Sequence, residues 1–192
     1  TLAKFLPNCI VFSDENNHAS MIEGIRKGNS DKFIWKHNDV DHLEYLLKNS
    51  NKDHPKIVAF ESVYSMDGDF APIKKIIEIS KKYNALTYLD EVHGVGLYGK
   101  NGGGLSEQLG LTSEIDIIEG TLAKGFGLMG GYITAKSNII DVIRSFAPGF
   151  IFTTSLPPSL AAAAVASIRY VKNNYSLREA LYERADKLKR MM

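Results

Sequence analysis

The chain has 192 residues, 44% of them hydrophobic, so it can bury one sizeable core or form part of a larger protein. Its formal net charge of +1, with basic residues scattered along the chain, argues against nucleic acid and anionic membranes as partners. A single cysteine excludes an internal disulfide and favours a reducing compartment. The longest apolar stretch is shorter than the roughly 20 residues of a membrane span, and the first residues lack the pattern of a secretory signal.

Short apolar runs rich in Ile, Val, Phe and Tyr alternate with segments of helical periodicity. Strands are predicted at residues 9–12, 32–35, 57–60, 85–89, 116–118 and 131–134. Helices are predicted at residues 20–27, 40–49, 73–83, 138–146, 158–173 and 177–191. This alternation predicts an α/β fold, a three-layer sandwich with a mostly parallel sheet covered by helices on both faces. Ligands of such sheets bind at the carboxyl ends of the strands.

The strand predicted at residues 85–89 is followed by Asp90 and, three residues later, by His93. A carboxylate at the end of a parallel strand reaches the ligand crevice, where it can hold a protonated pyridine nitrogen. A histidine three residues on, where the chain turns at Gly94, is within reach of the same ligand. The alternative for Asp90 is a buried structural carboxylate, and for His93 a satisfied structural imidazole.

Lys124 lies among small residues after the next strand, with Thr121 before it and Gly125 after it. A cofactor aldehyde needs an amine, and a threonine hydroxyl beside it is suited to a phosphate. Because few sites besides those of pyridoxal phosphate need both an amine and a carboxylate for a ring nitrogen, Lys124 and Asp90 together predict that cofactor. Taken alone, Lys124 is equally well a solvated loop lysine.

Two further polar residues follow predicted strands. The ring of His18 can stack on a planar cofactor, or it can start a helix and face solvent. Ser65 can donate to the cofactor's phenolic oxygen, although the turn chemistry around Asp67 and Gly68 explains its sequence equally well. The remaining three histidines lack metal-ligand spacing and are predicted to be surface residues, namely His37, His42 and His54.

The glycines at positions 94, 96 and 99 match the G-x-G-x-x-G pattern of nicotinamide-binding folds. That pattern requires a helix whose N-terminus faces the pyrophosphate, whereas more glycine follows here. We therefore interpret the match as accidental. A nicotinamide oxidoreductase nevertheless stays an alternative, as does a non-catalytic partner subunit that reuses the same fold.

Four segments together resemble the α-oxoamine synthases, a family of pyridoxal phosphate enzymes of transferase fold type I. They are residues 60–68, 90–93, 120–124 and 152–158. The resemblance runs over nearly the whole chain but covers only the central part of the family's length. It implies that residues 1–175 form a partial cofactor-binding large domain and that residues 176–192 begin the connection to a C-terminal small domain. We expect a piece of a longer protein, inactive by itself.

The resemblance also implies roles for individual residues. Lys124 is implied to form the covalent bond to the cofactor, and Asp90 to hold its ring nitrogen. His93 and Ser65 are implied to contact its phenolic oxygen, and His18 to stack on its ring. Lys124, His18 and Asp90 are thereby expected to be the catalytic residues. The remaining assignments are a phosphate contact by Thr121, contacts to the phosphate of a neighbouring subunit in a homodimer by Thr153 and Thr154, and acyl-CoA contacts by Ser13 and Lys32.

The flanking residues at 17–22, 36–39, 95–99 and 151–155 are most similar to those of family members that condense glycine with succinyl-CoA in tetrapyrrole and heme biosynthesis. Such an enzyme is expected in a bacterial cytoplasm or a mitochondrial matrix. Siblings that use another amino acid or acyl-CoA share the lysine, the aspartate and the histidine. The alternatives are therefore 8-amino-7-oxononanoate synthase and 2-amino-3-ketobutyrate CoA ligase.

Overall fold

A computed structural model describes residues 1–192, and its six strands form one sheet. The strands are β1 (Ile10–Asp14), β2 (Asp31–Trp35), β3 (Lys56–Glu61), β4 (Ala85–Asp90), β5 (Ile117–Thr121) and β6 (Gly131–Ala135). Their order across the sheet is β2-β1-β3-β4-β5-β6, and every neighbouring pair is parallel except β5 and β6. The predicted α/β fold class is confirmed, and so is the mostly parallel sheet. The antiparallel direction of β6 was not predicted.

Nine helices connect and cover these strands. They are α1 (Leu2–Phe5), α2 (Ala19–Arg26), α3 (Val40–Asn49), α4 (Ile73–Lys82), α5 (Leu105–Gln108), α6 (Ser137–Phe146), α7 (Pro148–Ile151), α8 (Pro158–Asn173) and α9 (Ser176–Met191). The six predicted helices are confirmed to within a residue at either end. Helices α1, α5 and α7 were not among the predicted helices, because four residues are too few to show a helical period. None of the helices is both long and apolar enough to cross a membrane.

Local sequence explains where the two helices on one face begin. Helix α3 begins after Asp39, whose Oδ1 accepts the His42 backbone N–H (2.9 Å) and satisfies one of the free donors of the first turn. Helix α4 begins after Pro72 and buries Ile73, Ile76 and Ile77, which share one side of the helix. That apolar side packs onto the sheet.

The strands bury side chains on both faces of the sheet, as parallel strands covered by helices do. Phe12 and Phe60 belong to the larger core cluster, on the side of α3 and α4. Val11 and Ile57 point the opposite way and pack with Met21 of α2 in a second cluster. Two cores separated by the sheet make the three layers of the fold.

Polar residues end several of the parallel strands at one edge of the sheet. Asp90 ends β4 and pairs in register with Glu61 at the end of β3, while Thr121 ends β5. Strand β6 starts at the same edge, with Gly131 opposite Thr121. This edge is where an α/β sheet binds its ligands.

Candidate functional site

A cavity of about 170 Å³ lies at this carboxyl edge. It is bordered by the ends of β3, β4 and β5, the start of α2 and the start of β6. Its charged and polar side chains are His18, Ser20, Glu61, Asp90, His93, Glu119, Thr121 and Lys124. The cavity therefore brings together five residues that the sequence predicted for the site, together with two carboxylates that it did not single out.

Asp90 is buried, with 5% of its surface exposed, and has no basic side chain as a salt-bridge partner. Its Oδ1 accepts the Val92 backbone N–H (2.7 Å), the one hydrogen bond that its side chain makes. Burial raises the pKa of Asp90 to about 6, and the negative charge of Glu119 adds to the rise, while the Val92 N–H opposes it. A cationic ligand group at this carboxylate would relieve that cost.

Lys124 Nζ lies 2.8 Å from His93 Nε2, in hydrogen-bonding contact. Burial lowers the pKa of His93, and the positive charges of Lys124 and His18 lower it further. These effects favour the neutral imidazole, whose Nε2 can accept a hydrogen bond from the lysine amine. Lys124 is exposed, yet its amine is held by a partner 31 residues earlier in the chain rather than left free in solvent.

Close backbone approach brings these two residues together. A Cβ on Gly125 would stand 2.6 Å from the Val95 carbonyl oxygen, a distance that real side chains do not adopt. Gly96, on the other side of this contact, has φ +83°, which favours glycine. The glycine run after β4 therefore packs against the loop of Lys124. No helix begins before α5 at Leu105, so the dinucleotide-binding interpretation of these glycines is not supported.

Glu91, the residue after Asp90, is fully buried and was not singled out in the sequence. Its carboxylate accepts the Ser62 hydroxyl (2.6 Å) and the backbone N–H groups of Leu105 (3.1 Å) and Ser106 (2.6 Å). These bonds tie the end of β3 and the start of α5 to the end of β4, and so hold the loop that carries His93. Two adjacent acids after a strand, Asp90 and Glu91, were the signal in the sequence. Whether either side chain is buried depends on residues that are distant in the chain, so the sequence alone could not show it.

Glu61 is one of the two carboxylates of the cavity that sequence reasoning missed. It is 2% exposed, and its Oε1 accepts the His18 backbone N–H (2.5 Å). Burial raises the pKa of Glu61 to about 7, and the neighbouring negative charge of Asp90 contributes to the rise. The residue stands at the end of a predicted strand, which was the signal that could have found it.

His18 and Thr121 line the cavity as predicted, and both also make local bonds. His18 is the N-cap of α2, and its Nδ1 accepts the Ser20 backbone N–H (3.3 Å). Thr121 Oγ1 donates to the Gly130 carbonyl oxygen (3.2 Å) and accepts the Ala123 N–H (3.1 Å), which shapes the turn before Lys124. His18 therefore starts α2 and also borders the cavity, while stacking of its ring on a cofactor stays a prediction.

The structure does not bring the other predicted site residues to this cavity. Ser65 is exposed in the loop between β3 and α4, and Thr153 and Thr154 are exposed between α7 and α8. Ser13 is buried in β1, where its hydroxyl donates to the Asp14 carbonyl oxygen (3.1 Å). Lys32 is exposed on the edge strand β2. Their proposed ligands therefore have to reach them from outside the cavity.

The prediction that His37 is a surface residue is wrong. Its Nδ1 and Nε2 each lie 2.9 Å from a carboxylate oxygen, of Asp14 and of Asp69. Its ring packs edge-on against Tyr64, which is buried. Burial opposes a charge on the ring, but the two aspartates outweigh it and raise the pKa of His37. The prediction failed because the partners of His37 are distant in sequence: Asp14 ends β1, and Tyr64 and Asp69 lie in the loop after β3. His42 and His54 are partly buried as well.

Comparison with known proteins identifies the family of this chain. The family model for class I and II aminotransferases matches residues 1–192. The 5-aminolevulinate synthase of Bradyrhizobium diazoefficiens is 53% identical over 192 residues, which are 100% of this chain and 47% of that protein. A solved structure described as SPT with PLP internal aldimine superposes with a TM-score of 0.89 at 36% identity, over 95% of this chain and 46% of that one.

A second solved structure, 8-amino-7-oxononanoate synthase from Francisella tularensis, has a TM-score of 0.77 at 26% identity, over 88% of this chain and 49% of that one. The chain thus spans about half the length of the proteins that it matches. Because the family model covers all 192 residues, the chain belongs to the class I and II aminotransferase family.

Proposed function

We propose that this chain forms the cofactor pocket of a pyridoxal phosphate-dependent 5-aminolevulinate synthase. The whole enzyme condenses glycine with succinyl-CoA to give 5-aminolevulinate, CoA and carbon dioxide. One observation carries the proposal: Lys124 Nζ, held 2.8 Å from His93 Nε2, shares a cavity with the buried and unpaired carboxylate of Asp90. An amine and a carboxylate without a salt-bridge partner are the two groups that the cofactor requires.

The residues of the cavity fit this cofactor. Asp90 is costly to keep ionised in its buried position, and a protonated pyridine nitrogen supplies the missing positive charge. His93 is within hydrogen-bonding reach of Lys124, so a group bound to the lysine amine lies next to the imidazole. The hydroxyl of Thr121 lines the same cavity and would bind a phosphate oxygen by turning away from the Gly130 carbonyl oxygen. Stacking of the His18 ring on the cofactor stays part of the proposal.

Once bound, the cofactor supplies an aldehyde that condenses with amines and a protonated ring that withdraws electrons from the amino acid's Cα. Asp90 would keep the ring nitrogen protonated. The free amine of Lys124 would take the Cα proton of glycine and later return a proton to the product. His93 orients the lysine amine through Nε2 in its neutral form, which the lowered pKa of the imidazole favours.

The choice of substrates is supported by the 53% identity to a 5-aminolevulinate synthase, against 26% to the 8-amino-7-oxononanoate synthase. The competing enzymes differ in the acyl thioester that they accept. Product analysis of the whole enzyme with glycine and succinyl-, acetyl- or pimeloyl-CoA separates them. We expect 5-aminolevulinate from succinyl-CoA, and a clear preference for another thioester would overturn the substrate assignment.

The role of Lys124 is tested by Lys124→Ala in the full-length protein. We expect loss of turnover and loss of the borohydride-sensitive visible absorbance, because the covalent bond to the cofactor cannot form. Lys74→Ala, at an exposed position of α4, is the matched control and should behave as the unmodified enzyme. A Lys124→Ala enzyme that retained both activity and absorbance would contradict the assignment of the covalent bond to Lys124.

Five assignments extend the proposal to the whole enzyme. Thr153 and Thr154, exposed after α7, reach the cofactor phosphate of a second subunit in a homodimer, while Ser65 assists at the phenolic oxygen. Ser13 and Lys32 contact the acyl-CoA. The break between α8 and α9 supports a boundary near residue 175 between the large domain and the connection to a small one. The bacterial origin of the relative named above supports a bacterial cytoplasm over a mitochondrial matrix.

A further inference from the structure

Glu61 is a buried acid beside the proposed site to which the mechanism above gives no task. It ends β3, directly in register with Asp90 at the end of β4, and 2% of its surface is exposed. No basic side chain forms a salt bridge with it. An uncompensated buried carboxyl group destabilises a fold. Because Glu61 lies beside a second such group, Asp90, a specific contact must explain why it is there.

That contact is with His18. The His18 backbone N–H donates to Glu61 Oε1 (2.5 Å) across a sequence separation of 43 residues. As the N-cap of α2, His18 has a backbone N–H that lies outside the helical hydrogen-bond pattern and needs a partner from elsewhere. On the other side of the residue, Ser20 holds the ring, with its Oγ 2.8 Å from His18 Nδ1. Backbone and ring of His18 are therefore fixed by different partners.

We propose that Glu61 is a positioning residue of this site, whose carboxyl group anchors the His18 backbone and thereby sets the His18 ring against the cavity. This inference rests on the proposed function, in which that ring covers the bound cofactor. Without the anchor, the neighbouring Asn17 Nδ2 still donates to the Ala59 carbonyl oxygen (2.8 Å), but the His18 N–H loses its partner and the ring can move away from the cavity.

The charges around Glu61 come from four elements. Asp90 on β4 and Asp14 on β1 disfavour its ionisation, and Lys124 after β5 favours it, while the His18 N–H stabilises the ionised form. A cation bound at Asp90 acts in the same direction as Lys124. The anchor is thus strengthened when the cavity holds a cationic group, because a charged acceptor makes the stronger hydrogen bond.

Two substitutions separate the hydrogen bond from the charge. Glu61→Gln keeps an acceptor oxygen of the same shape, whereas Glu61→Ala removes it. In the full-length protein, we expect Glu61→Ala to weaken pyridoxal phosphate binding about tenfold and to speed deuterium exchange in the peptide that contains the His18 amide by a similar factor. Glu61→Gln should retain both within about threefold. Glu78→Ala, at an exposed position of α4, is the control.

A double-mutant cycle with His18→Ala tests whether Glu61 acts through the His18 ring. We expect Glu61→Ala to change cofactor affinity less than about twofold once the ring is absent. A tenfold loss that persists in the His18→Ala background would overturn the proposal, as would unchanged exchange at His18 in Glu61→Ala. The exchange measurement is made without cofactor. A protein that binds no pyridoxal phosphate would therefore contradict the proposed function while leaving the anchor itself testable.

Discussion

The buried carboxylate of Asp90 destabilises the cofactor-free protein. The change in the free energy of unfolding on Asp90→Asn should measure this cost. A tenfold change in proton affinity is worth about 1.4 kcal/mol. Raising the pKa of this carboxyl from 3.8 to about 6 therefore costs the folded state about 3 kcal/mol once the group is ionised. Asparagine keeps the oxygen that accepts the Val92 N–H but carries no charge.

The sign and the pH window follow from the direction of the shift. Below pH 3.8 both the folded and the unfolded protein hold the proton, so the ionisation cost is absent there. The cost grows as the pH rises from 3.8 to about 6 and is constant above that value. We therefore expect cofactor-free Asp90→Asn to be more stable than the unmodified protein by up to about 3 kcal/mol at pH 8, and by much less near pH 4.

Urea denaturation of the cofactor-free protein at both pH values measures this difference. Asp41→Asn, at an exposed position of α3, is the control and should shift stability by no more than about 0.5 kcal/mol. The same Asp90→Asn variant should bind pyridoxal phosphate more weakly, because the ring nitrogen loses its counter-charge. The reasoning would be refuted if Asp90→Asn were no more stable than the unmodified protein at pH 8, or if it were stabilised equally at pH 8 and near pH 4.

Two other perturbations test how the site is held in place. Gly125→Ala puts a Cβ 2.6 Å from the Val95 carbonyl oxygen, so the unfolding free energy should fall by about 1–3 kcal/mol, with weaker cofactor binding. Gly149→Ala, which meets nothing within 4 Å, should not weaken binding, and equal effects of both would contradict the close-approach argument. His37→Asn removes the imidazolium and should lower the free energy of unfolding. The loss should be largest below pH 6.5, the ordinary pKa of histidine, and should shrink as the pH rises through the raised pKa of His37 in the folded protein. Denaturation midpoints at pH 6 and pH 9 measure this, and an equal loss at both would count against a charged His37.

The sequence predicted the secondary structure well because its signals are local. Apolar runs and helical periods located the six strands and the six longer helices, and Asp39 marked the start of α3. The direction of β6 was not predictable in this way. It depends on the short return from Thr121 to Gly131, which turns the chain back along β5 rather than crossing over a face of the sheet.

The site was predictable for residues whose type is itself informative. Asp90, His93 and Lys124 stand out because a strand-end carboxylate, a nearby histidine and a lysine among glycines match a known cofactor chemistry. Glu61 and Glu91 do not stand out, since most glutamates lie on the surface and an internal one is identified only by what surrounds it.

By itself, the sequence determined the α/β class, the order of the elements and the three residues that indicate pyridoxal phosphate. The tertiary structure decided which groups face one another: Glu61 beside Asp90, Lys124 against His93, and the backbone of Gly96 against Gly125. The physical reason is that strand and helix propensity are properties of short segments. Strand register and loop approach join parts of the chain about 30 residues apart and are fixed only when the whole sheet packs.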